Sequence, residues 1–119
     1  MNTTDDIWVI DDDEAIRFVL QRALSRRGYG VTCFETVGDV RRALRSAQPR
    51  ALLTDIRLPD ADGLSIVDTL EQHDIDIPVI AMTANAMPGD RDKALGAGMN
   101  DYVTKPLRIE RMLETLARW

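Results

Sequence analysis

Five short apolar runs recur along the chain at near-regular intervals: IWVI (7–10), VTCF (31–34), ALLT (51–54), PVIAMT (78–83) and DYVT (101–104). None has the strict alternation of a half-exposed strand. They read as strands buried on both faces, which is the mark of a parallel sheet covered on two sides. Between them lie longer segments with apolar positions at helical spacing. Over 14–27 these are Ile16, Val19, Leu20, Ala23 and Leu24, with a basic last turn and a stop at Gly28. Over 37–47 they are Val37, Val40, Ala43, Leu44 and Ala47, ending before Pro49, while Arg41, Arg42 and Arg45 face water. Over 63–72, after the turn PDADG, they are Leu64, Ile66, Val67 and Leu70; over 108–118 they are Ile109, Met112, Leu113 and Leu116. The segment 88–97 carries Pro88 at a first helical position but also Gly89 and Gly96. Each glycine costs about 1 kcal/mol against alanine in a helix interior, so this is predicted to be the least stable helix.

The order is therefore (βα)5. Right-handed crossovers place helices on both faces of such a sheet, giving an α/β, doubly wound, five-stranded parallel fold. Ligands in that architecture sit outside the carboxyl ends of the strands, so the residues just past each strand carry the chemistry.

Composition narrows the function classes. A chain of 119 residues with 45% hydrophobic and 29% charged content predicts one globular domain over 1–119. The net charge of -5 argues against direct nucleic acid binding, which needs a basic face. Cys33 is the only cysteine, so neither an intrachain disulfide nor a cysteine metal cluster is available. The amino terminus lacks a secretory pattern, and no apolar stretch approaches the roughly 18 residues of a membrane span. The expectation is a soluble, cytoplasmic protein with no membrane partner.

At the strand ends stand Asp11, Asp12 and Asp13, then Asp55, Thr83 and Lys105. Adjacent carboxylates repel one another, so three in a row need an offset. Asp13 precedes the first amphipathic segment and suits a helix N-cap. Asp55 taken alone suits a turn, and Thr83 taken alone suits a strand. Lys105 is one of only two lysines among fifteen basic residues, and a lysine acts on phosphate as a point charge where arginine would fork. Asp11, Asp12 and Asp55 together would hold a hard divalent cation such as Mg2+ through oxygen ligands. With a hydroxyl and an ammonium nearby, the set suits phosphoryl transfer, in which an Asp carboxylate can be the nucleophile. A second reading is a small aspartate-nucleophile phosphatase with a D-x-D pair at Asp11 and Asp13. Ala15 stands where such a motif expects Thr or Val, and the chain lacks room for a substrate-enclosing cap. His73, the only histidine, reads as a solvated residue at the end of the third helix.

The segments VIDDDEAIR, LLTDIRLPDADG, VIAMTA and DYVTKP resemble, in order and spacing, the signature segments of the receiver domain of two-component response regulators, and the resemblance covers the whole chain. It implies a flavodoxin-like sheet with strand order 2-1-3-4-5. It implies Asp11 and Asp12 as an acid pair, Asp55 as phosphoryl acceptor, Thr83 as switch hydroxyl, Lys105 as the phosphate-pairing lysine and Tyr102 as switch aromatic. The Arg57 carbonyl would complete a Mg2+ shell, and the Lys105–Pro106 peptide would be cis. The donor would be a sensor histidine kinase or a phosphotransfer protein. The domain would be a phosphoacceptor that acts only on its own phosphoryl group, not a turnover enzyme. Phosphorylation would switch the face made by segment 88–97, the fifth strand and the last helix, controlling an output domain, a partner or a homodimer. The first half resembles receivers of nitrogen-regulatory transcription activators, which implies transcription regulation. The stretch MTANAMPGDRDKALGAGMNDYVTKP resembles receivers attached to hybrid histidine kinases. A receiver-like module that no longer takes phosphate and serves only as an interaction surface is a third reading.

Overall fold

The computed structural model describes residues 2–3, 6–56, 65–83, 92, 95–96, 98–104 and 108–118. Five strands, β1 (Ile7–Ile10), β2 (Val31–Phe34), β3 (Ala51–Asp55), β4 (Val79–Thr83) and β5 (Asp101–Thr104), form one sheet. Their order is β2-β1-β3-β4-β5 and every pairing is parallel, as the resemblance implied. The described helices are α1 (Glu14–Arg26), α2 (Val37–Ala43), α3 (Ser65–Gln72) and the C-terminal α4 (Ile109–Arg118).

Strand pleating sends alternate residues to opposite faces, and in β1 both faces are apolar. Ile7 and Val9 enter a core layer with Leu20 and Leu24 of α1 and Met112 and Leu116 of α4. Trp8 and Ile10 enter the other layer, with Val37 and Val40 of α2 and Ile66 and Leu70 of α3. Removing each such side chain from water contributes about 1.5–3 kcal/mol, which explains why the strands read as unbroken apolar runs.

Two helical expectations are corrected. Val19 does not join the buried stripe: it is 45% exposed and its neighbour Phe18 is 58% exposed. The roughly 100° step per residue sets Val19 to one side of the Leu20–Leu24 line, and only that line meets the sheet. Helix α2 ends at Ala43, not at residue 47. The chain tightens into a turn in which the Arg45 and Ser46 amides donate to Arg42 and Ala43 carbonyls, at 3.2 and 3.1 Å. Ala47–Gln48 then pairs in parallel with Asn2–Thr3, and this tertiary bond competes successfully with further helix. Strand β4 starts at Val79 because Pro78 has no N–H, although its carbonyl accepts from the Leu52 amide at 2.9 Å. In segment 88–97, residues 92, 95 and 96 are helical and the others lie outside the described residues. Among the described residues no helix is long and apolar enough to cross a membrane.

Candidate functional site

Register brings the acidic residues together. Ile10 of β1 pairs with Thr54 of β3, so Asp11 and Asp55 emerge side by side at the carboxyl edge of the two central strands. Adjacent strands lie about 4.8 Å apart, close enough for the two carboxylates to share one ligand. Oxygens of Asp11, Asp12 and Asp55 all lie within 4.8 Å of one another. Asp11 is fully buried, Asp55 half-buried and Asp12 exposed, so the cluster runs from the protein interior to solvent.

The backbone of Asp11 is held on both sides. Its amide donates to the Phe34 carbonyl at 3.0 Å, extending the β1–β2 ladder by one residue. Its carbonyl accepts from the Arg17 guanidinium at 2.7 Å. The Asp11 carboxylate accepts from the Asp13 amide at 2.9 Å, which folds the acidic triplet into a tight turn. Asp13 itself is the N-cap of α1, its carboxylate accepting from the Ala15 amide at 2.9 Å. Asp13 thus serves the helix and is not in the three-carboxylate group. Below Asp55, the buried Thr54 hydroxyl donates to the Asp55 carbonyl at 2.9 Å.

Arg17 is the residue the sequence reading missed. Besides holding Asp11, its guanidinium lies 3.5 Å from the Glu35 carboxylate across the β2–α2 junction. A signal existed in its spacing: the helix that Asp13 starts returns residue 17 to the side of the cap after one turn. Nearby, burial pushes the Cys33 thiol up from its ordinary range, and the Arg17 charge opposes the shift. The Cys33 thiol also sits 3.9 Å from the Arg17 carbonyl.

Thr83 ends β4. Met82 pairs with Asp55 and Thr83 with Thr104, so Thr83 lies one register step beyond Asp55 at the same sheet edge. Tyr102 on β5 is half-buried and packs against the core layer that contains Trp8 and Val79. Lys105, Arg57 and the Lys105–Pro106 peptide lie outside the described residues.

Three carboxylates so close together are unfavourable unless a cation or a proton offsets them, the more so with one fully desolvated. Their hard oxygen donors suit a divalent ion of the Mg2+ or Ca2+ type and lack the nitrogen and sulfur ligands that zinc favours.

Comparison with known proteins agrees with this architecture. Residues 7–117 match the family described as response regulator receiver domain. The DNA-binding transcriptional regulator NtrC of Proteus hauseri is 44% identical over 115 residues, covering 94% of this chain and 24% of that protein. The chain therefore spans about a quarter of the length of the NtrC relatives it matches. The beryllofluoride-activated NtrC4 receiver domain dimer superposes with a TM-score of 0.88 at 25% identity, covering 97% of this chain and 95% of that one. The receiver domain of sensor histidine kinase PA1611 from Pseudomonas aeruginosa PAO1 is 34% identical with a TM-score of 0.85, covering 97% and 96% of the two chains. That structure has a magnesium ion coordinated in its active site cleft. With the acidic cluster at the edge of a 2-1-3-4-5 sheet and the family match over nearly the whole chain, this protein is a member of the response regulator receiver domain family.

Proposed function

We propose that Asp55 accepts a phosphoryl group from the phosphohistidine of a sensor histidine kinase or phosphotransfer protein, with Mg2+ as cofactor. The observation that carries this reading is the convergence of Asp11, Asp12 and Asp55 within 4.8 Å at the end of the two central strands. An Asp55 oxygen attacks phosphorus, the new O–P bond forms as the P–N bond to the donor imidazole breaks, and the imidazole leaves with a proton from solvent. Bound Mg2+ would supply positive charge against the phosphoryl oxygens and the clustered carboxylates. Asp11 and Asp12 would hold it with Asp55, the Arg57 carbonyl completing the set. Lys105 would pair with the transferred group and Thr83 would donate a hydrogen bond to it. The half-exposed position of Asp55 leaves it reachable by a donor, while the bonds from Thr54 and Arg17 keep the cluster from spreading.

In this reading residues 1–119 form a phosphoacceptor module rather than a turnover enzyme, working in the cytoplasm. Its output face is built from segment 88–97, β5 and α4, and controls a linked segment, a partner or a second copy in transcription regulation. Resemblance to NtrC and to a receiver that forms a dimer supports this assignment.

Incubation with acetyl phosphate and Mg2+, read by intact mass, is expected to add one phosphoryl group to the parent and none to Asp55→Asn. Undiminished modification of Asp55→Asn would exclude Asp55 as acceptor. Sustained hydrolysis of a generic phosphate ester that depends on Asp11 as nucleophile would favour a phosphatase instead.

A further inference from the structure

On the α2–α3 side of the molecule, a cavity of about 790 Å3 opens between the two helices, within the range of about 300–1,000 Å3 typical of small-molecule sites. Its polar lining includes Arg41, Arg45, Ser65, Thr69 and His73. None of these belongs to the acidic site. The walls are tied together: the Arg41 Nε of α2 donates to Thr69 Oγ1 of α3 at 3.1 Å, while Thr69 Oγ1 contacts the Ser65 carbonyl at 3.5 Å. Thr69 is 7% exposed, so this bond lies at the base of the cavity. Ser65 Oγ is buried and has no hydrogen-bond partner among the described residues. A buried hydroxyl without a partner is costly, and a ligand acceptor atom would relieve it.

The charge of the lining selects the ligand. Two guanidiniums, Arg41 and Arg45, face a single carboxylate, Asp68, in a chain whose net charge is -5. Arg45 makes no ion pair or side-chain hydrogen bond among the described residues, and Arg41 keeps its two terminal nitrogens beyond the bond to Thr69. Guanidiniums present paired donors that match phosphate and carboxylate oxygens, and the Ser65 hydroxyl adds a neutral donor. We propose that the α2–α3 cavity binds a small organic anion through its phosphate or carboxylate group, with Arg45, Arg41 and Ser65 as donors.

The test titrates Mg2+-free protein with inorganic phosphate, adenosine monophosphate or succinate, at ionic strength matched by sodium chloride, and follows backbone amide shifts by NMR. Without Mg2+ the acidic cluster repels anions, so shifts from the two sites are separable. Saturable shifts at Arg41, Arg45, Thr69 and His73 are expected with at least one probe, and the phosphate and succinate arms identify which headgroup is preferred. Arg45 is exposed, so Arg45→Gln should leave the fold intact and weaken the binding about tenfold, the usual scale for one charged hydrogen bond. Modification of Asp55 by acetyl phosphate should be the same in Arg45→Gln as in the parent, which separates this proposal from the phosphoacceptor reading. Equal shifts from chloride alone, no saturable shift with any probe, or undiminished binding by Arg45→Gln would overturn it. Binding of an acidic peptide in place of all three small anions would also overturn it, assigning the face to a protein partner.

Discussion

Two helix ends solve the same problem with different residues. After α1, the Tyr29 amide donates to the Leu24 carbonyl and the Gly28 amide to the Ser25 carbonyl, with Gly28 at φ 88°. After α3, the Ile75 amide donates to Leu70 and the Asp74 amide to Glu71, with Asp74 at φ 53°. Both are Schellman caps, and the left-handed position favours glycine. Asp74→Gly is therefore expected to raise stability by about 0.5–1 kcal/mol in urea unfolding, and Gly28→Ala to lower it by about 1 kcal/mol. Space is no obstacle at Gly28, since an added Cβ meets nothing within 4 Å, so the loss would report backbone conformation alone. Cys33 carries the pH-dependent prediction. Burial raises its thiol, so the folded state prefers the neutral form. Its contribution to stability is present below the unfolded thiol range and fades as pH rises through the higher folded value. Alkylation by iodoacetamide at pH 8 should accordingly be slower in the folded protein than in urea.

At the scale of elements, stability resides in the line each helix presses onto the sheet. Leu20 is fully buried and Val19 is 45% exposed, although they are neighbours in one amphipathic pattern. Leu20→Ala is expected to cost about 2–5 kcal/mol in chemical denaturation, and Val19→Ala only about 0.5 kcal/mol. Near-equal losses would mean that α1 is rotated from the orientation described. Helix starts are local: Asp13 caps α1, and the Thr36 hydroxyl caps α2 by accepting from the Asp39 amide at 3.1 Å. Asp13→Ala should cost about 1 kcal/mol through loss of the cap. It should leave acetyl phosphate labelling of Asp55 largely intact, because Asp13 stands outside the three-carboxylate group.

For the whole molecule, the proposed cation site would couple stability to Mg2+. Three carboxylates within 4.8 Å of one another repel, and a bound cation would offset that repulsion. Asp12→Asn is expected to stabilise the cation-free protein by about 1 kcal/mol in EDTA, Asp12 being exposed and its repulsion screened by water. In the parent, Mg2+ at a hundredfold over its Kd should add about 2.7 kcal/mol, and Asp12→Asn should lose most of that gain. In the proposed function the output signal would start at the same edge of the sheet. Phosphate at Asp55 would offer oxygens to Thr83 and Lys105, drawing Thr83 inward beside β5 and letting Tyr102 follow. Gly89 and Gly96, poor helix formers, should make rearrangement of segment 88–97 inexpensive. Hydrogen exchange over residues 84–105 is therefore expected to change on phosphorylation. A change confined to α1 and α2 would redirect the signal to the opposite end of the sheet order.

What the sequence determined by itself was everything written in short-range pattern. The double-sided apolar runs specified five buried strands, because a strand hidden on both faces has no polar alternation to show. The DDD triplet specified both a helix start and a charge excess needing an offset, since capping uses one carboxylate and repulsion burdens the others. Whatever depends on which surface meets which was decided by the tertiary structure. The amphipathic pattern admitted Val19 to the buried stripe, but the width of the α1–sheet contact excluded it. Spacing permitted α2 to continue to residue 47, but pairing of Ala47–Gln48 with Asn2–Thr3 ended it sooner. The grouping of Asp11 and Asp12 with Asp55 needed the parallel β1–β3 register, which aligns residues 44 positions apart. Arg17 at the Asp11 carbonyl and the cavity between α2 and α3 were likewise products of packing, because an arginine at helical spacing reads as solvated until the fold gives its charge something to hold.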